Sequence, residues 1–264
     1  PATLAYRGSP VVQSAVTNAN GPWAIESSEE PILAVFASYT TISNINLVSH
    51  GTLPHPVSVG LMVLGSTIGA QHCMFDKISV DLDRTNIHSI GIFTKVNSIS
   101  SAFDGTNSYN TYRDITIRDC NGGMYLAGVG TATMVHDEGN QIITSSCTTF
   151  NSIGDPSVPN DIGGGNTAAY GILMGAQGNF ILKNTIVSNV SSNSYSETVD
   201  GIYIASAKGN CEISNNIVHS IVRNHVNGYI PYLTGIRISH SGFTNNIKIY
   251  NNSISDVRTT YVGV

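Results

Sequence analysis

Chemistry needs side chains that move protons, hold metals or attack a substrate, and this chain is sparing with all three. Its 264 residues carry 17 Asp and Glu, 12 Lys and Arg and 8 His. The densest acidic group is Asp76, Asp81 and Asp83, beside Lys77 and Arg84. Calcium takes six to eight oxygen ligands, several of them usually acidic. Asp81 and Asp83 share a strand parity, but neighbouring repeats add no acids at matching positions. The cluster is expected to be a solvated strand end, so no metal and no cofactor is predicted, with calcium as the alternative. His136-Asp137-Glu138 is the densest polar triplet, and adjacent residues of a loop rarely converge on one point, so it reads as an exposed turn. His50, His55, His72, His88, His219, His225 and His240 show neither HxH nor HExxH spacing, which leaves no zinc motif. No GxSxG elbow marks a nucleophilic serine. Cys73, Cys120, Cys147 and Cys211 lack CxxC spacing. They read as buried, unpaired thiols, with one disulfide left open.

The composition narrows the frame that such residues would need. Only 11% of the chain is charged, against roughly 25% in an average soluble domain. The most apolar stretch, Val57 to Ala70, is interrupted by Ser58, Gly60, Gly65 and Ser66, and falls short of the roughly 20 residues of a spanning helix. No membrane insertion is predicted. A net charge of −5 without a basic cluster argues against nucleic acid, whose binding rests on neutralising phosphates. Recurrent Ile and Val argue against disorder.

An internal repeat organises the rest. Gly, an aliphatic residue, any residue and a further mostly aliphatic residue recur as Gly60-Leu61-Met62-Val63, Gly91-Ile92-Phe93-Thr94, Gly123-Met124-Tyr125-Leu126, Gly171-Ile172-Leu173-Met174, Gly201-Ile202-Tyr203-Ile204 and Gly235-Ile236-Arg237-Ile238. The starts are 31, 32, 48, 30 and 34 residues apart, and a loop insertion near 127–170 is expected to account for the long interval. A second unit follows, as in Asn179-Phe180-Ile181-Leu182-Lys183-Asn184, Asn210-Cys211-Glu212-Ile213-Ser214-Asn215 and Asn246-Ile247-Lys248-Ile249-Tyr250-Asn251. Both units alternate with period two, the pattern of strands with one inward face. No helical apolar stripe is sustained. The predicted fold is all-β: a right-handed parallel β-helix solenoid of about seven coils, roughly 34 Å long at about 4.8 Å per rung. Residues 1–264 form one such domain, expected to be a mature chain or a piece of a longer one. Leu4 to Val16 reads as the remains of an earlier coil and Tyr261 to Val264 as the start of another.

Stacked coils superpose equivalent positions, so the sequence can be read in columns. Asn184, Asn215 and Asn251 share one, with Asp119 as the expected equivalent an earlier coil supplies. An asparagine ladder at a sharp bend is predicted there.

On these residues the chain resembles the right-handed parallel β-helix, pectate-lyase-like superfamily. The Ser/Thr/Asn-rich texture of Asp200 to Val218 is similar to β-helix modules of large exported bacterial surface proteins. Glu30 to Leu33 and Ile42 to Ile45 resemble a first coil of several polysaccharide lyases. In enzymes of that superfamily the substrate groove lies outside one sheet. Here that face predicts the column Met62, Phe93, Tyr125, Leu173, Tyr203, Arg237. Phe93, Tyr125, Tyr203 and Arg237 are the candidate carbohydrate contacts, with Arg237 available to pair a uronate carboxylate. The competing expectation is that residues 127–170 fold over this face and bury it.

The enzymes that the resemblance brings in carry patterns that this chain matches in part. Acidic-polysaccharide lyases use a carboxylate cluster for calcium and an Arg or Lys base. Polygalacturonase-type hydrolases resemble Thr198-Val199-Asp200-Gly201-Ile202 and Gly235-Ile236-Arg237-Ile238-Ser239 at two of four motifs. The middle two are missing, and Glu212 is the lone acid between. Hydrolysis needs two carboxylates flanking the bond, so catalytic residues stay unassigned. The expectation is a non-enzymatic structural or adhesive module of a secreted or cell-surface protein. Polysaccharide or surface glycans and neighbouring domains of a longer chain are its expected partners. A polysaccharide lyase or glycoside hydrolase is the alternative, and a tail-spike-like trimer a third.

Overall fold

The computed structural model describes residues 3–4, 11–13, 31–49, 59–65, 68–96, 103–128, 135–194, 196–224, 232–239 and 245–260. Every strand pairing among them is parallel, and successive partners lie one coil apart. The fold is therefore a parallel β-solenoid, as the repeat predicts. Its front sheet has seven strands: Pro31–Val35, Val59–Gly65, Ile90–Val96, Gly122–Ala127, Ala169–Gly175, Val199–Ile204 and Leu233–Ile238. The remaining described strands join into a 17-stranded sheet wrapping the other sides. No helix among the described residues is long and apolar enough to cross a membrane.

Inside, Leu61, Ile92, Met124, Ile172 and Ile202 stack in register and are fully buried. Burying each such side chain contributes about 1.5–3 kcal/mol. The repeated glycine has a steric cause. A Cβ on Gly171 would stand 2.2 Å from Val187 Cγ1 and 2.6 Å from the Gly201 carbonyl oxygen. Only a residue without a side chain lets the front strand begin that close to the opposite sheet.

The coils turn at left-handed backbone positions, most of which fall into three columns. One holds Asn44, Lys77, Asp114, Asn184, Asn215 and Asn251, all with φ between 53° and 57°. A second holds Asp119, Asn189, Ser220 and Asp256. The third runs through Tyr39, His72, Tyr109, Gly139, Asn179 and Gly209. Asn and Asp tolerate this backbone better than other residues with a Cβ, which accounts for the six asparagines of these columns. Thr144 is thus the equivalent of Asn184 one coil earlier and Asp114 the one two coils earlier, while Asp119 belongs to a different column.

The coil-to-coil amide bonds of this edge centre one residue beyond the bend. Buried Asn216 donates from Nδ2 to Asn252 Oδ1 at 2.9 Å and to the Leu182 carbonyl at 3.1 Å, and accepts the Thr185 N–H at 3.0 Å. Asn184 itself reaches Thr144 Oγ1 at 3.0 Å. A second internal ladder links Asn110, Asn140 and Gln177.

The long coil between Gly123 and Gly171 keeps the regular strand pairing in its described part. It supplies strands Gln141–Ile143 and Asn151–Ile153, each paired on both sides. Its described extra residues leave the coil at two places, 144–150 and 154–161. His136-Asp137-Glu138 corrects the sequence reading. Asp137–Glu138 is a short strand, and His136 and Asp137 are buried. The Asp137 carboxylate accepts the Asn107 N–H at 3.0 Å and Gln177 Nε2–H at 3.4 Å. Burial pushes its pKa up to about 7, against the two hydrogen bonds that lower it. Cys73, Cys120 and Cys211 are buried free thiols, while Cys147 is free and exposed.

Candidate functional site

Register places Met62, Phe93, Tyr125, Leu173, Tyr203 and Arg237 in one outward column on the front sheet. Met62 and Leu173 are buried, Met62 in a small cluster with Val59 and Leu64 apart from the main core. Phe93, Tyr125 and Tyr203 are partly exposed. Neither full burial nor full exposure of the face is observed.

A residue outside the column completes it. Tyr170 stands on the same strand as Leu173 and swings its ring between Tyr125 and Tyr203. The centroids run Phe93–Tyr125 at 6.0 Å, Tyr125–Tyr170 at 5.9 Å and Tyr170–Tyr203 at 6.0 Å, the first two edge-on and the last stacked. These are the spacings at which aromatic pairs attract. The Tyr170 hydroxyl is fixed by Thr198 Oγ1 at 2.8 Å. Burial, then the neighbouring Tyr170 and Tyr203, push the Tyr125 pKa up to about 12, so this phenol stays protonated at neutral pH.

At the far end of the run, Arg237 lies over Tyr203, with its guanidinium carbon 3.5 Å from the ring centroid, and 4.6 Å from that of Tyr232. Its Nη2 donates to Asp200 Oδ2 at 2.6 Å. Thr234 Oγ1 donates to Asp200 Oδ1. Asp200 is fully buried. Burial raises its pKa, and the Thr234 hydrogen bond, Arg237 and Arg223 act in the opposite direction. The two motif fragments noted in the sequence therefore do meet, Asp200 with Arg237, but they close on each other. Glu212 is elsewhere, accepting from Ser214 and Tyr250 at 2.6 and 2.7 Å.

The acids of the 76–83 cluster are also committed. Asp76 pairs Arg113 at 2.7 Å and Asp81 pairs Arg118 at 3.0 Å, each one coil apart, and Asp83 accepts from Thr85 within its own turn. Among the described residues no three His, Cys, Asp or Glu converge as metal ligands would.

A groove of roughly 350 Å³ opens at the other end of the run, lined by Val59, Ile90, Phe93, Asn121, Tyr125 and Tyr170 among others. Sequence reading missed Tyr170, Tyr232 and Asn121. Tyr170 shares a register position with Asp200, so reading the column that holds Asp200 as a second outward file would have found it. Asn121 stands just before the strand Gly122–Ala127, where no periodic signal marks it.

No family model matches the chain, and no curated protein does. Among solved structures it is similar to the A-module of the Azotobacter vinelandii mannuronan C-5 epimerase AlgE4. The identity is 12%, 89% of each chain is covered and the TM-score is 0.21. It is also similar to the Eubacterium ramulus GH136 lacto-N-biosidase, at 8% identity, 95% of this chain, 56% of that chain and a TM-score of 0.19. At these values neither likeness bears on activity.

Proposed function

We propose that the chain is a structural or adhesive parallel β-helix module, of the pectate-lyase-like kind, that contacts glycans along its front sheet. Its setting is a secreted or cell-surface protein, with neighbouring domains as further partners. The observation that carries the reading is the run Phe93, Tyr125, Tyr170, Tyr203, four rings on four successive rungs at about 6 Å intervals. A partly exposed aromatic file offers apolar ring faces with polar tips, which suits the C–H faces and hydroxyls of successive sugar units. A polysaccharide lyase or hydrolase is the competing reading. It requires Asp200 to leave both Arg237 and Thr234 before it can exchange a proton with substrate.

The test is affinity electrophoresis through neutral and acidic polysaccharides, with polymer length followed in parallel. Retardation without shortening is expected, and Tyr125→Ala and Tyr203→Ala both weaken it. Absence of retardation by any polymer removes the glycan reading, and shortening that is lost in Arg237→Ala replaces it with catalysis.

A further inference from the structure

We infer that the groove at the Phe93–Tyr170 end is a subsite for one uncharged pyranose unit, recognised by the Asn121 side-chain amide; this rests on the glycan-contacting reading above. The volume, roughly 350 Å³, lies at the lower end of small-ligand sites, which span about 300–1,000 Å³. Its walls are apolar and aromatic, with a few polar groups, the usual division between binding area and orientation.

Asn121 is the group that asks for a ligand. It is 7% exposed, and its Nδ2 finds no hydrogen-bond partner among the described residues. Its other end is held, because Thr167 Oγ1 donates to Oδ1 at 3.3 Å. Its backbone N–H donates to Ser89 Oγ at 2.8 Å. Buried donors are nearly always paired, so an unfilled amide in the wall of a groove marks a place for an acceptor. A sugar hydroxyl or ring oxygen supplies one, while Tyr125 and Tyr170 bound the same space.

Charge selects the class of sugar. Among the described residues no Lys, Arg, Asp or Glu lines the groove, and His88 is the one imidazole there. The cation nearest in the run, Arg237, is neutralised by Asp200 at 2.6 Å. The other described arginines are occupied too. Arg84, Arg113, Arg118 and Arg258 pair with aspartates, and Arg223 donates to the Glu197 and Tyr232 carbonyls. A chain of net charge −5 also repels a polyuronate at long range. A neutral glycan meets none of these obstacles.

The experiment is calorimetric titration with neutral galactomannan oligosaccharides and with oligogalacturonate, at low and moderate salt. Wild type is expected to bind the neutral series with little salt dependence. Asn121→Ala weakens it about tenfold, the worth of one hydrogen bond at the strong end of the range. Asn121→Asp, the same shape without the donor, weakens it at least as much. The melting temperature of Asn121→Ala falls only slightly, because the long Thr167 bond to Oδ1 is the one side-chain hydrogen bond lost and the Nδ2 donor was unsatisfied; a fall of several degrees would make the residue structural and overturn the subsite. Unchanged affinity in both Asn121 variants, with loss in Tyr125→Ala, overturns the subsite and leaves the aromatic run standing. Tighter, salt-sensitive binding of oligogalacturonate overturns the neutral class. Binding of neither ligand overturns this inference, and failure of the wider polysaccharide panel as well removes the glycan reading.

Discussion

Arg237 and Asp200 stand on adjacent rungs and close on each other at 2.6 Å, with the carboxylate fully buried and the arginine side chain only 13% exposed. Removing one partner of a buried pair leaves the other charge uncompensated, at a cost of about 3–5 kcal/mol. Arg237→Ala is therefore expected to lower stability in urea by that order. Asp200→Asn with Arg237→Met should recover most of it, since the uncompensated charge is gone. An exposed, weakly coupled pair would instead give two small and additive effects.

Two neighbouring asparagines should behave in opposite ways. Asn215 holds a left-handed bend at φ 55°, so Asn215→Gly is expected to be neutral within about 0.5 kcal/mol, and Asn215→Val to cost about 1–2 kcal/mol. Asn216 is buried and makes four hydrogen bonds to three groups of the adjoining coils, the Thr185 N–H, the Leu182 carbonyl and, twice, Asn252 Oδ1. Asn216→Ala strands the Thr185 N–H and the Leu182 carbonyl, for about 2–4 kcal/mol. Urea denaturation of the three variants separates bend from ladder.

The contrast shows where the sequence speaks and where it falls silent. The glycine repeat is visible because close approach excludes every side chain at Gly91, Gly123, Gly171 and Gly201. Period-two alternation then sets the front-sheet register, and the outward column follows from it. The phase is lost at each left-handed bend, where the next side chain turns inward. Asn216 and Asn252 are the ones that turn inward here, and polarity alone gives no reason to prefer them to Asn215 and Asn251. Asp137 is hidden for a related reason. A polar column inside a solenoid looks like surface until its partners Asn107 and Gln177 are brought beside it. Tyr170 belongs to a different register position from Tyr125, so only its ring joins the run.

Asp137 makes stability depend on pH. Its folded pKa of about 7 lies above the ordinary carboxylate value, through burial. The folded state therefore binds a proton that the unfolded chain releases, and stability from this group falls as pH rises from about 4 to about 7, then levels. Between pH 5 and pH 8 the loss is about 2–3 kcal/mol, at about 1.4 kcal/mol per unit. Asp137→Asn should flatten that part of the profile in denaturant titrations at the two pH values. An unaltered difference would place the carboxyl in contact with water.

The glycine column sets a steric limit. Gly171→Ala puts a methyl 2.6 Å from the Gly201 carbonyl oxygen, a backbone atom with nowhere to retreat. A loss of about 1–3 kcal/mol or more is expected, read as a lower urea midpoint. Gly175→Ala, with nothing within 4 Å, is the control and should be silent.

The central claim is that the ring run of the front sheet holds a glycan without breaking it. It is tested most directly by titrating wild type and Tyr125→Ala with a neutral galactomannan while the polymer's length is followed. Saturable binding by the wild type, at least tenfold weaker binding by the variant and constant polymer length are the predicted result. Equal binding by both proteins, or steady shortening of the polymer by the wild type, would contradict it.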